Sequence, residues 1–285
     1  MLLDEDPPYE LRSKHQPAYI NMKKISIGTI IWFTTLVLFF GFLLLPLLIL
    51  IAVSFNPTAM VFPPQGFTLR WYAAILDKPD FLSAAWSSTL IGGLTAAIST
   101  AVGVLAAIGL HSYVGRFRGA ALYILLSPLF IPAVIVALAL LQLLMMLGML
   151  NNLAVLVAAH VVVTMPYPLR NVTAQLAGFD RRLEEAAMTV GATRVQTLFR
   201  VTLPLLRSSI VPSFITTFVL SWNNYTVSVF LANKDWTTLP LQLRAYLQYE
   251  YEPFVAAMAT LLIIASALLL AIVERFVGVS GHGRA

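Results

Sequence analysis

Cysteine is absent from the 285-residue chain, and charge is scarce. Without cysteine there is no disulfide framework, no thiolate metal site and no cysteine nucleophile. Asp, Glu, Lys and Arg make up 11% of the residues, against about 25% in an ordinary soluble domain. Apolar residues make up 59%. So few charged side chains cannot cover that much apolar surface in water, and lipid is the solvent the composition requires. The same numbers exclude a disordered chain, a coiled coil and a collagen-like fibre. Acids are also missing where membrane chemistry would need them, because the long apolar stretches contain no Asp or Glu before Glu274. That argues against an intramembrane hydrolase. It argues equally against a proton-coupled carrier, and a self-contained secondary transporter or channel, which usually carries its own coupling-ion acid or a pore ring, stands as the alternative reading.

What is present is a series of charge-free runs at 25–69, 81–114, 119–169, 208–233 and 253–273. A spanning helix needs about 20 apolar residues. The run 119–169 holds two, parted near Gly148–Asn152, where Gly and two Asn cluster as a turn. The first run holds one helix, which ends near Phe55 before a proline-containing loop. The patterning predicts an all-α membrane protein with six transmembrane helices, at about 26–54, 84–111, 120–147, 150–169, 208–232 and 254–277. It divides the chain into a polar tail (1–24), a first anchor helix (25–55) and a core over 80–280.

Orientation follows from the basic residues. With the N-terminus inside, fourteen of the 18 Lys and Arg lie on cytoplasmic segments, and only Arg70, Lys78, Lys234 and Arg244 lie outside. The positive-inside rule therefore predicts an N-in, C-in topology. The net charge of +5 then reflects basic inner loops, and membrane lipid rather than nucleic acid is the expected surrounding. The outer loops carry Trp71, Tyr72, Trp236, Tyr246, Tyr249 and Tyr251. These read as interfacial anchors or as contacts for a soluble partner outside.

The inner segment 170–207 is ordered by its own pattern. Leu183, Ala186, Ala187 and Val190 recur at helical spacing. Asp180 can cap that helix, and Gly191 can stop it as the residue after its C-cap. Thr193 starts a second short helix, which Leu203-Pro204 is expected to end. The result is a helix–turn–helix over 178–205, which reads either as an amphipathic hairpin resting on the membrane or as a docking element.

Glu185-Ala186-Ala187, three residues, Gly191, nine residues, Val201, one residue and Leu203-Pro204 resemble the E-A-A signature of permease subunits in bacterial binding-protein-dependent ABC importers. Thr238-Leu239-Pro240-Leu241 and Glu274-Arg275-Phe276-Val277-Gly278 look like the spermidine/putrescine-type branch of that family. The resemblance implies a type I ABC importer permease fold. It also implies a second permease subunit, two ATPase subunits on the cytoplasmic face and a periplasmic solute-binding protein. By the same resemblance, Glu185, Ala186, Ala187, Gly191, Leu203 and Pro204 form the coupling hairpin that docks into the ATPase. The chain has no G-x4-G-K-[S/T] motif of its own. ATP and Mg are thus expected on the partner, with no catalytic residue and no cofactor or metal on this chain.

The translocation path is sought among polar residues inside the spans, which are costly in lipid. Gln142, His160 and the run Ser221-Trp222-Asn223-Asn224-Tyr225 qualify. The run is expected mid-helix, and each member reads either as path or as interhelical hydrogen-bonding glue. In polyamine-type permeases, the region resembling Asn223-Asn224 is commonly acidic. The two neutral amides here make an amino-acid-like, opine-like or aminophosphonate solute as compatible as a polyamine.

Overall fold

The computed structural model describes residues 27–58, 60–112 and 115–281. Every regular element among them is helical. The polar tail 1–24 and the motif side chains from Phe276 onward lie outside what is described. The chain divides into two compact units, Met1–Leu47 and Leu48–Ala285, and the second holds all the sites below.

Helix α1 (Ile27–Val53) is apolar all round, as a lipid-embedded span must be. A short α2 (Arg70–Ala74) precedes α3 (Pro79–Ser112), the longest helix of the second unit. Helix α3 begins earlier than its charge-free run because Pro79 and Asp80 suit a first turn. It packs against α6 (Leu153–Thr164), α7 (Pro166–Ala177) and α10 (Leu203–Trp222). Small residues allow the close approach. A Cβ on Gly103 would lie 2.9 Å from the Leu169 nitrogen and 3.2 Å from the Met165 carbonyl, so α3 and α7 touch backbone to backbone there.

Among the described residues, four helices are long and apolar enough to cross a membrane: Gly28–Val53, Pro79–Ser112, Arg194–Trp222 and Pro253–Arg275. The other two expected spans are bent pairs. In place of one helix over 120–147, α4 (Arg118–Leu126) with the 3₁₀ turn that extends it to Leu129 meets α5 (Ala133–Met146) at 99°. Pro132 has ψ 129, which is extended, and with no N–H to continue the helix it starts α5 in a new direction. In place of a span ending at 169, α6 and α7 bend by 41° at Met165–Pro166, and the helix continues to Ala177. Residues from Arg170 onward are therefore helical rather than loop. The turn between α5 and α6 falls where the sequence placed it. Gly148 and Asn151 have φ of 64° and 65°, and the Asn152 carboxamide oxygen caps α6 by accepting from Ala154 N at 2.8 Å.

The expected stop at Leu203-Pro204 is overturned. After α8 (Arg182–Thr189), the short α9 (Arg194–Thr197) passes through a π-helical turn (Leu198–Thr202) straight into α10. Leu203 N–H bonds the Leu198 carbonyl five residues back. The wider π turn shifts the hydrogen-bond ladder just where Pro204 has no N–H to give, so the proline is absorbed. The expected helix over 208–232 is corrected in turn. Helix α10 stops at Trp222, and a separate α11 (Tyr225–Leu231) follows. Helix α12 (Leu239–Tyr246) lies within an expected loop, and α13 (Pro253–Gly281) closes the unit. Leu239 N–H, in the Thr238-Leu239-Pro240-Leu241 motif, bonds the buried Ser88 hydroxyl on α3 at 2.7 Å.

Candidate functional site

The hairpin is built by local rules. The Asp180 carboxylate accepts from Arg182 N at 3.0 Å, which starts α8 and puts Glu184 and Glu185 in its first turn, where the helix dipole favours acids. Gly191 follows at φ 91°. Gly191 N–H bonds the Met188 carbonyl and Ala192 N–H the Ala187 carbonyl, at 3.0 and 3.1 Å. A Cβ at Gly191 would meet nothing within 4 Å. The requirement for glycine is therefore conformational, worth about 1–2 kcal/mol. Thr193 and Gln196 then form a capping box.

Four sets of contacts that sequence reasoning missed close this hairpin and tie it and its flanking helices to the bundle. Thr202 Oγ1, in the π turn, donates to Glu184 Oε1 at 2.5 Å and closes the hairpin across its base. Arg181 Nε donates to His111 Nε2 at 3.2 Å, and its Nη2 to the His111 carbonyl, at the end of α3. Gln175 Nε2 donates to the Leu205 carbonyl and to Ser208 Oγ, both at 2.9 Å. Asn171 Nδ2 donates to Ser213 Oγ at 3.1 Å. The i, i+4 spacing of Asn171 and Gln175 was the available signal, because it puts two amides on one face of α7.

The far side of the hairpin is open. Glu185, Ala186 and Gly191 are exposed and Ala187 is half-buried. Val190 is 85% exposed, and Val195 and Phe199 stand out beside it. Exposed apolar side chains on a polar hairpin mark a surface for a protein partner or for the membrane. Leu203 is half-buried and Pro204 exposed, at the start of α10. A cavity of about 440 Å³ opens beneath the hairpin, lined by Ile108, Ser112, Arg181, Glu185, Met188 and Arg194 among others.

The second gathering of polar groups is the break after α10. The run 221–225 is not mid-helix, as expected, but is the break itself. Asn223 caps α10, and its Nδ2 donates to the Val219 carbonyl at 3.1 Å and to Ser266 Oγ on α13 at 3.2 Å. The Asn224 carboxamide oxygen accepts from Val227 N at 2.9 Å and starts α11. Trp222 stacks on Phe218 with ring centroids 6.0 Å apart. Its buried Nε1 has no hydrogen-bond partner among the described residues. Tyr225 is exposed. His160 is fully buried on α6, and its Nδ1 shares a 2.9 Å hydrogen bond with Ser221 Oγ. A turn below, Thr164 Oγ1 donates to the His160 carbonyl and shares a 2.9 Å bond with Ser99 on α3. Gln142 is not part of this gathering. It is exposed on α5, with no side-chain hydrogen bond among the described residues. Ser266 gave no signal beyond being a hydroxyl in an apolar helix.

The described residues form a multi-helix membrane unit with a hairpin at one end and a polar helix break within it. The chain belongs to the family of binding-protein-dependent transport system inner membrane components, whose model matches residues 99–279. It is 31% identical over 232 residues to the spermidine/putrescine transport system permease protein PotC of Escherichia coli (strain K12), covering 81% of this chain and 87% of that one. It is also 31% identical to the putrescine transport system permease protein PotI of the same strain, covering 80% and 84%. The fold resembles a chain of a bacterial ABC transporter involved in the import of the acidic polysaccharide alginate. That match has a TM-score of 0.69 at 18% identity and covers 94% of this chain and 99% of the other. The protein is thus a multi-pass permease subunit of an ABC importer with the type I fold.

Proposed function

We propose that this chain forms one half of an importer's membrane pathway in the bacterial inner membrane. A second, homologous permease subunit forms the other half. Two ATPase subunits, which bind ATP and Mg, sit on the cytoplasmic face, where this chain's hairpin docks into an ATPase cleft, and a periplasmic solute-binding protein delivers solute at the opposite end. Both termini are cytoplasmic in this reading. This chain catalyses no reaction and holds no cofactor.

The observation that carries the reading is the unbroken helix Arg194–Trp222. It starts two residues after the Gly191-Ala192 turn and ends at the Asn223-Asn224 break. A hairpin displaced by ATPase closure passes its motion into that helix, which runs on through the π turn and past Pro212 without ending. At its far end the motion reaches contacts with α6, through His160 and Ser221, and with α13, through Asn223 and Ser266. Alternating access follows if these contacts differ between the two end states.

For the solute, the named relatives support a polyamine. The break itself offers amide oxygens, an indole and a phenol, which can take an ammonium group through lone pairs and ring faces. They suit an amino-acid-like, opine-like or aminophosphonate compound as well, since no carboxylate demands a full positive charge. The proposed class is therefore a small amine-bearing polar solute. The test is ATPase stimulation in the reconstituted complex with its binding protein, using putrescine, spermidine, an amino acid and an aminophosphonate. Stimulation and uptake confined to one amine-bearing class supports the reading and names the class. Uptake by the lone chain without ATPase would defeat it.

A further inference from the structure

The end of the unit remote from the hairpin contains a second built site. Helix α3 runs about 50 Å from its hairpin end at Ser112 to Pro79, and Lys78 stands just before it. The Lys78 ammonium lies 4.4 Å from the Tyr246 ring centroid and 4.7 Å from that of Phe254. It donates to the Tyr246 hydroxyl at 2.9 Å, and that hydroxyl donates onward to Glu252 Oε2 at 3.0 Å. Phe81 packs edge-on against both rings, at centroid distances of 5.4 and 4.9 Å. Phe81 and Phe254 are buried at 2% and 0% exposure, within a core shared by α2, α3, α12 and α13.

We infer that Tyr246, Phe254 and Glu252 form an alkylammonium-binding site whose resident ligand is the side chain of Lys78, and that this site joins the α2–α3 segment to the α12–α13 segment. Aromatic faces attract a cation through their quadrupoles, most strongly where the cation is partly desolvated. The carboxylate behind the phenol polarises it, so that the hydroxyl oxygen becomes a better acceptor for the ammonium. Burial pushes the Tyr246 phenol above its ordinary pKa, so it keeps the proton this relay uses. The chemistry recognises a primary ammonium on an alkyl stem and nothing specific to lysine. A free alkylammonium must therefore fill the site once Lys78 is shortened. In the intact chain the tethered lysine, at high effective concentration, keeps free amine out.

The inference does not depend on which solute is carried. It is tested on the whole importer complex in nanodiscs of phosphatidylglycerol, a lipid with no primary amine. Lys78→Ala lowers the thermal midpoint. n-Butylammonium chloride restores it, half-effective at roughly tens of millimolar, as suits a single ammonium contact. n-Butanol and sodium chloride at the same concentrations do not restore it. Adding Glu252→Gln and Tyr246→Phe to Lys78→Ala abolishes the rescue. Lys78→Met, which keeps the stem and drops the charge, is the second variant should Lys78→Ala not assemble. It is destabilised relative to wild type, while Lys78→Arg is less so. Equal midpoints for wild type and Lys78→Met, or an n-butylammonium effect that survives loss of Glu252 and Tyr246, would overturn the inference.

Discussion

His160 and Ser221 share a hydrogen bond between α6 and α10, one residue before α10 ends at Trp222. The helix is thereby held at the point where its path breaks. Replacing His160 with Ala leaves the buried Ser221 hydroxyl unpaired and removes an imidazole that is fully enclosed. Breaking such a bond costs about 1–3 kcal/mol, and the cavity adds to it. The expected outcome is a lower melting temperature of the purified complex, with His160→Asn recovering part of the loss. An unchanged melting temperature in both variants would show that the bond contributes nothing.

The hairpin turn gives a second expectation. Gly191→Ala introduces about 1–2 kcal/mol of backbone strain with no steric contact, and Gly191→Pro cannot adopt φ 91° at all. Uptake should fall mildly in the first and be lost in the second, with both proteins still present in the membrane. Glu185→Lys should also abolish uptake, because it reverses an exposed charge on the docking face. Solute-stimulated ATPase activity of the reconstituted complex checks all three. Normal stimulation in Gly191→Pro would remove the hairpin from coupling.

Thr202→Val separates closing the hairpin from docking it. The substitution keeps the branched shape and deletes the donor to Glu184. A loss of about 1 kcal/mol of local stability is expected. The hairpin should still bind ATPase but transmit less motion, so more ATP is hydrolysed per solute moved. Coupled uptake and hydrolysis measurements should show that ratio rising, and a constant ratio would count against a mechanical role for the bond.

At the break, solute contact and structural glue make different predictions. Asn223→Asp adds a negative charge to a side chain that is already exposed and bonded to Ser266. Uptake should shift towards more cationic members of a solute panel. Replacing both Asn223 and Asn224 with Ala should cut uptake more than it cuts the yield of complex. If uptake falls only in proportion to yield and Asp leaves preference unchanged, the amides serve only to hold helices.

Orientation can be checked directly, since there is no native cysteine to remove. Arg194→Cys should resist an impermeant thiol reagent in intact cells, and Lys234→Cys should react. The reverse pattern would invert the topology.

Features set by a few neighbouring residues could be read from the sequence. The Gly191 turn, the helix start at Thr193 and the turn at Gly148–Asn152 depend on φ preference and on side chains reaching backbone two or three residues away. The helices of α1, α3 and α13 followed from apolar length alone. What could not be read depended on how the backbone absorbs a proline. Pro132 turns the chain by 99°, whereas Pro204 is carried inside a continuous helix. The difference is a π turn that only the folded ladder reveals. Cross-helix partners such as Thr202 with Glu184, or Asn223 with Ser266, were hidden for another reason. Contacts between residues 18 and 43 positions apart leave no periodic trace.

The unbroken helix from Arg194 to Trp222 also has a mechanical meaning. Its 29 residues make a lever roughly 44 Å long. Tilting it by about 5° about its midpoint displaces each end by about 2 Å, in opposite directions. That is on the order of the hydrogen-bond lengths that decide whether Asn223 touches Ser266. A small swing at the hairpin is therefore enough to exchange one set of contacts at the break for another, with no unfolding of the helix between them.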